Sequence, residues 1–177
     1  ERLAGLPWQI LKTPHLTLRE STVSDVEDFY RIYQDPSITK YMERLFPDKD
    51  EERSYMKDYI QKIYGFYGFG LWSVIHTVTG TVIGRAGLSV REGYEIPELG
   101  FVTEVAFQHQ GYTYEICEAI LRYARDELEF PQVQAFCHPE NTASLHLLQK
   151  LGFTYAGEDP LQGIPHARYI VSLPKSC

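Results

Sequence analysis

Glu98-Leu99-Gly100-Phe101-Val102-Thr103 leads through a polar turn, Gln108-His109-Gln110-Gly111-Tyr112-Thr113, into a segment carrying Ile116, Ala119, Ile120, Tyr123 and Ala124. The first six residues have the composition of a strand. The last five recur at the spacing of an apolar helix face. A helix that opens straight after such a turn has first amides with no carbonyl partner, at the positive end of its dipole. A pyrophosphate binds there without help from Lys or Arg. Gly111 is the residue whose missing side chain lets a phosphate reach the backbone. Taken alone, the same turn also serves as a plain strand-to-helix connection.

Working outward, Leu71 to His76 and Val82 to Leu88 are β-rich and flank Thr79-Gly80, which predicts a hairpin. Further upstream, His15 to Arg19 alternates like an edge strand. Ser24-Asp25-Val26-Glu27 has the form of a capping box ahead of Val26, Phe29, Tyr30 and Tyr33 at helical spacing. Asp35-Pro36 ends that helix, and a second is predicted from Asp48 to Tyr64, ending at Gly65. Residues 1–14 read as an irregular lead-in or linker stub, with Pro7 and Pro14 breaking any helix and Trp8, Ile10 and Leu11 available to pack on the body. Downstream, Val133 to Cys137 reads as a strand, Asn141 to Leu151 as a helix and Arg168 to Leu173 as a closing strand. The alternation predicts a mixed α/β domain over residues 15–177.

Composition narrows the function. At 177 residues one domain is expected, and 44% hydrophobic with 23% charged residues excludes disordered and low-complexity classes. A net charge of −7 removes the general attraction to phosphate backbones, so no nucleic-acid partner is expected. No apolar run approaches the ~20 residues of a membrane span, and no basic-then-apolar leader precedes Leu6, so no membrane partner is expected. Three cysteines, Cys117, Cys137 and Cys177, are too few and too scattered for a disulfide framework, which predicts a reducing, cytoplasmic setting.

A second motif stands at Asn141-Thr142-Ala143-Ser144-Leu145-His146-Leu147-Leu148-Gln149-Lys150-Leu151-Gly152-Phe153. As a helix it is complete. Asn141 caps it, Leu145, Leu148 and Leu151 share a face, Lys150 suits the negative end and Gly152 the left-handed exit. With the Gln-x-x-Gly turn before it, this segment resembles the GCN5-related N-acetyltransferase (GNAT) superfamily, and Glu98-Leu99-Gly100-Phe101 points to its ribosomal-protein N-terminal acetyltransferase branch. The resemblance implies a twisted mixed sheet of about six to seven strands with about four helices. It also implies that the fourth and fifth strands splay apart around acetyl-coenzyme A. Phe101, Val102 and Thr103 would line the cofactor, the amides from Gln108 through His109, Gln110, Gly111 and Tyr112 to Thr113 would hold its pyrophosphate, Asn141 its pantetheine arm, and Ser144 would lie near the sulfur. Thr113 and His109 depart from the family pattern, which usually has Gly or Ala at the first position and often Gly at the second. The segment from Glu158 to Gly163 has Gly and Gln where some relatives place a catalytic Glu, so the resemblance carries no base over to it.

The implied reaction is direct attack of a neutral amine on the acetyl thioester, and such amines are protonated at neutral pH, so a base is required. Glu98, on the face shared with Gly100 and Val102, is the candidate, with Glu104 second; a solvated acid after Pro97 is the plainer reading of Glu98. Ser144 would donate to the departing thiolate, and a free amide near Val102 would stabilise the oxyanion. Tyr30, Tyr33 and Tyr41 are candidates for binding the acceptor amine, with core packing as the alternative. No metal is expected, since Cys137-His138 has no second pair at ligand spacing. An N-acetyltransferase acting on a protein N-terminus or a small amine, as monomer or homodimer, is the leading expectation; a non-catalytic acyl-coenzyme A binding module of the same fold is the alternative.

Overall fold

The computed structural model describes residues 6–175, so Cys177 lies outside the described residues. Eight strands form one sheet: β1 (Gln9–Lys12), β2 (Leu16–Arg19), β3 (Leu71–His76), β4 (Thr81–Ser89), β5 (Glu98–Thr103), β6 (Gln132–Cys137), β7 (Thr154–Glu158) and β8 (Ala167–Ser172). Their order is β1-β2-β3-β4-β5-β6-β8-β7, and β5–β6 is the one parallel pair among them. The helices are α1 (Val26–Tyr33), α2 (Pro36–Thr39), α3 (Lys49–Tyr59), α4 (Gly65–Tyr67), α5 (Tyr112–Asp126) and α6 (Thr142–Lys150). Residues 60–64 join α3 to α4 as a single π-helical stretch. None of these helices is long and apolar enough to cross a membrane.

Eight strands are slightly more than the six to seven expected, and the two that the sequence did not reveal, β1 and β7, lie at the sheet's edges. Residues 9–12, read as an irregular lead-in, pair antiparallel with β2, and Ile10 and Leu11 pack on the core. The flanking prolines do not prevent this, because an edge strand tolerates missing donors. The other edge, β7, shows no alternation in its sequence: most of it is exposed, and its register with β8 shifts between Tyr155 and Glu158.

The apolar residues divide between the two faces. One face carries Leu16, Leu18, Trp72, Ile83 and Leu99 against Ile116, Ile120 and Ala124 of α5 and Leu148 of α6. The other carries Val82 and Val102 against Val26, Phe29 and Ile32 of α1 and Met56 of α3. The capping box stands two residues earlier than expected, at Thr22 and Asp25, and opens a single 3-10 turn over residues 23–25 that runs into α1. The Thr22 amide donates to Asp25 Oδ2 at 2.9 Å, while Glu27 pairs with Lys49 and Arg53 instead of closing a box with Ser24.

The decisive feature for function is a gap. β4 and β5 pair along six positions from Gly84↔Thr103 to Ser89↔Glu98, but β5 and β6 meet only at Glu98↔Gln134. Beyond that point the parallel strands part toward their C-terminal ends. β5 and β6 are the fourth and fifth strands of the sequence reading, counted one further along because residues 9–12 are a strand.

Candidate active site

The gap between β5 and β6 opens into a cleft of about 1600 Å³. β5 contributes Glu98, Phe101, Val102 and Thr103 to its wall. The following turn contributes Gln108, His109, Gly111, Tyr112 and Thr113, and the second helical motif contributes Asn141 and Ser144. Gln110 does not line it: its side-chain amide turns back to the Ala106 carbonyl at 3.3 Å.

The turn is built to expose amides. Gly111 precedes α5 with φ +83° and supplies no side-chain cap, and the space where its Cβ would stand is open. The first intrahelical bond runs from the Glu115 amide to the Gly111 carbonyl at 3.0 Å, so the amides of residues 112–114 precede the ladder. His109 is also left-handed, with φ +61°, which explains why glycine suits that position in the family pattern. Gln108 Nε2 donates to the Thr103 carbonyl at 2.9 Å, and the Thr103 and Thr113 hydroxyls lie 2.7 Å apart. Thr113 thus fastens α5 to the end of β5 through its own hydroxyl. The Tyr112 ring turns away from the cleft onto His15 and His76, with centroids 5.7 and 5.6 Å away. Two left-handed residues, His109 and Gly111, ahead of the unbonded first-turn amides of a helix make a turn suited to an anion.

On the opposite wall, Asn141 Oδ1 accepts from the Ser144 amide at 3.3 Å, so Asn141 caps α6 as its sequence suggests. The Cys137 thiol beside it is nearly buried and donates toward the His138 and Asn141 carbonyls; burial pushes its pKa up to about 11. Burial likewise raises Cys117 within the core. Neither thiol is an activated nucleophile.

Glu98 has a partner that sequence reading missed. Arg91 grips both carboxylate oxygens, at 2.7 and 3.0 Å. The same guanidinium lies over the Phe136 ring at 4.3 Å, Phe136 meets Tyr94 edge-on at 5.7 Å, and Arg168 covers Tyr94 at 4.8 Å. Arg168 also donates to Gln134, whose amide reaches the Ile96 carbonyl at 3.0 Å. These contacts staple the loop between β4 and β5 to the point where the sheet begins to split. Glu104, the second candidate base, pairs with Arg31 outside the cleft wall.

Of the three candidate acceptor tyrosines, the cleft contains one. Tyr41 lines it and stacks on His138 with centroids 4.9 Å apart. Tyr30 donates to the Phe46 carbonyl, and both Tyr30 and Tyr33 pack against the cluster of Val26, Phe29 and Ile32, away from the cleft wall. Their helical spacing with Val26 and Phe29 placed them with the α1 packing. His138, His166, Arg91 and Tyr94 also line the cleft. No local motif marks them; the pairing of β6 with β8 brings the two histidines together.

A family model described as "Acetyltransferase (GNAT) domain" matches residues 15–154. The uncharacterized N-acetyltransferase p20 of Bacillus licheniformis is 29% identical over 153 residues, covering 84% of this chain and 84% of p20. The apo structure of RimL, a ribosomal L7/L12 alpha-N-protein acetyltransferase, superposes with TM-score 0.80 at 15% identity, covering 95% of this chain and 96% of its own. The RimL structure in complex with coenzyme A gives TM-score 0.76 at 17% identity, covering 93% and 98%. Similarity at that identity speaks to the fold. With the family model spanning most of the chain and the split sheet beneath it, this chain belongs to the GCN5-related N-acetyltransferase family and is an acyl-coenzyme A dependent acetyltransferase.

Proposed function

We propose that the chain transfers an acetyl group from acetyl-coenzyme A to a primary amine, that of a protein N-terminus or a small molecule, by direct attack, with residues 15–177 acting as one catalytic domain. The observation that carries this reading is the open turn at Gly111, set at the mouth of the gap between β5 and β6. Its donor set fits a diphosphate: first-turn amides at a helix N-terminus, no Cβ in the way, and no competing side-chain cap.

On this reading Gln108, His109, Gly111, Tyr112 and Thr113 present backbone around the pyrophosphate, and Gln110 holds the turn through its bond to the Ala106 carbonyl. Phe101, Val102 and Thr103 line the parted end of β5 along the pantetheine, and Asn141 faces it from the start of α6. Ser144, held at the start of α6 by the hydrogen bond its backbone N–H donates to Asn141 Oδ1, donates a hydrogen bond from its hydroxyl to the sulfur as negative charge develops there. The thioester supplies the activated acetyl group. Tyr41 forms one side of the acceptor pocket. Exposed Glu43, Glu92 and Glu140 and half-buried Asp159 on the cleft wall favour a cationic acceptor. With Arg91 on both its oxygens, Glu98 acts chiefly as the anchor of the 90–97 loop.

Thermal shift and thiol release test the reading together. Acetyl-coenzyme A at a hundred times its Kd should stabilise the fold by ~2.7 kcal/mol. Free coenzyme A thiol should then appear only when an amine is added. A protein that shows no shift with either acetyl-coenzyme A or coenzyme A does not bind the proposed donor.

A further inference from the structure

The pairs Phe136↔Arg168 and Cys137↔Ala167 between β6 and β8 set His138 opposite His166 one step further along, with ring centroids 6.0 Å apart. Counted from Glu98↔Gln134, His138 stands level with Val102 across the gap. Both histidines line the cleft beside Tyr41.

Their local hydrogen bonds give them opposite tautomers. His166 Nδ1 lies 3.0 Å from the Ile164 carbonyl, which only accepts, so Nδ1 carries the hydrogen and Nε2 keeps a bare lone pair. His138 Nδ1 lies 3.1 Å from the Glu140 amide, which only donates, so the hydrogen of neutral His138 is on Nε2. Among the described residues no group bonds His166 Nε2. The cleft therefore holds one imidazole set to accept a proton and, facing it, one set to donate. Both oxygens of the nearest carboxylate on β5, Glu98, are meanwhile engaged by Arg91.

We propose that His166 Nε2 is the general base of the acetyl transfer, an inference that rests on the amine-acetylation reading. It takes one proton from the acceptor ammonium and passes it to solvent, to which the ring is partly exposed. The freed nitrogen forms the C–N bond to the thioester carbonyl carbon, the C–S bond breaks, and the second nitrogen proton leaves on the coenzyme A sulfur. His138 is a positioning residue, its Nε2–H directed by the backbone bond at Nδ1 and its ring held by Tyr41.

The experiment compares wild type, His166→Ala and His166→Gln, with L-alanyl-L-alanine amide and 1,4-diaminobutane as probe amines and thiol release as the assay. His166→Ala should lower kcat/KM by ~10²–10³-fold, leave the thermal shift with acetyl-coenzyme A unchanged, and recover partly with added imidazole. His166→Gln, which fills the space, should not recover. Nitrogen NMR of the free protein should show His166 as the Nδ1–H tautomer. Unchanged turnover in His166→Ala overturns the proposal, as does an Nε2–H tautomer, and the nitrogen shifts decide the matter even where neither probe amine is turned over. A wild type that shows neither thermal shift nor thiol release overturns the acetyltransferase reading itself, a different failure.

Discussion

Glu98 illustrates how one unseen neighbour changes the task of a residue. Alternation along β5 places it on the face of Gly100 and Val102 as the sequence suggests, yet the register carries no information about Arg91 in the loop before it. The two-point ion pair is partly shielded, with the Glu98 and Arg91 side chains 18% and 27% exposed. Removing one partner leaves the other charge uncompensated and frees the 90–97 loop. Glu98→Gln is therefore expected to lower Tm by a few degrees, roughly what ~1 kcal/mol gives in a domain of this size, while kcat falls less than tenfold. A loss of kcat by two orders of magnitude at unchanged Tm and KM would restore Glu98 as the base.

At the scale of elements, the turn and its helix were legible because each rests on local chemistry. Gly111 opens α5, Asn141 caps α6, and the bounds of β5 follow its apolar residues. Edge strands were less legible. Ile10 and Leu11 gain their strand by pairing with β2, and β7 has little apolar alternation to betray it. The histidine pair was invisible for a related reason: it exists only through the β6–β8 register. The open turn also makes a direct prediction. Gly111→Ala sets a Cβ on a left-handed residue, at a cost of ~1 kcal/mol, and puts a methyl group where the diphosphate would approach. The Kd for coenzyme A should rise at least tenfold, as read by calorimetry. His109→Gly should leave that Kd within about twofold, since it removes a side chain from a backbone position that already favours glycine. Equal weakening by both substitutions would place the diphosphate elsewhere.

For the molecule as a whole, one buried cluster joins β2 and β3 to the start of α1 and the π-helical stretch. Asp25, just before α1, accepts from Arg19 of β2 at 2.6 and 2.9 Å and from the Ser73 hydroxyl of β3 at 2.8 Å. Ser73 in turn meets Ser21, and the Ser21 amide donates to the Tyr64 hydroxyl at the end of the π-helical stretch. Desolvation alone would raise the Asp25 carboxyl, but Arg19, the Thr22 amide and Ser73 outweigh it and hold the group below the ordinary carboxylate range. A carboxyl with a lowered native pKa binds its proton more weakly folded than unfolded. Its stabilisation is thus present above the unfolded value of ~3.9, falls away as pH drops through the native pKa, and is gone below it. Urea unfolding should show stability declining as pH falls below ~4. Asp25→Asn should cost ~3–5 kcal/mol near neutrality by leaving Arg19 unpaired and should flatten that acid limb. Because the cluster lies away from the Gly111 turn, the folded fraction of Asp25→Asn should bind coenzyme A with wild-type affinity. An acid limb unchanged in the variant would mean that other carboxyls govern acid unfolding.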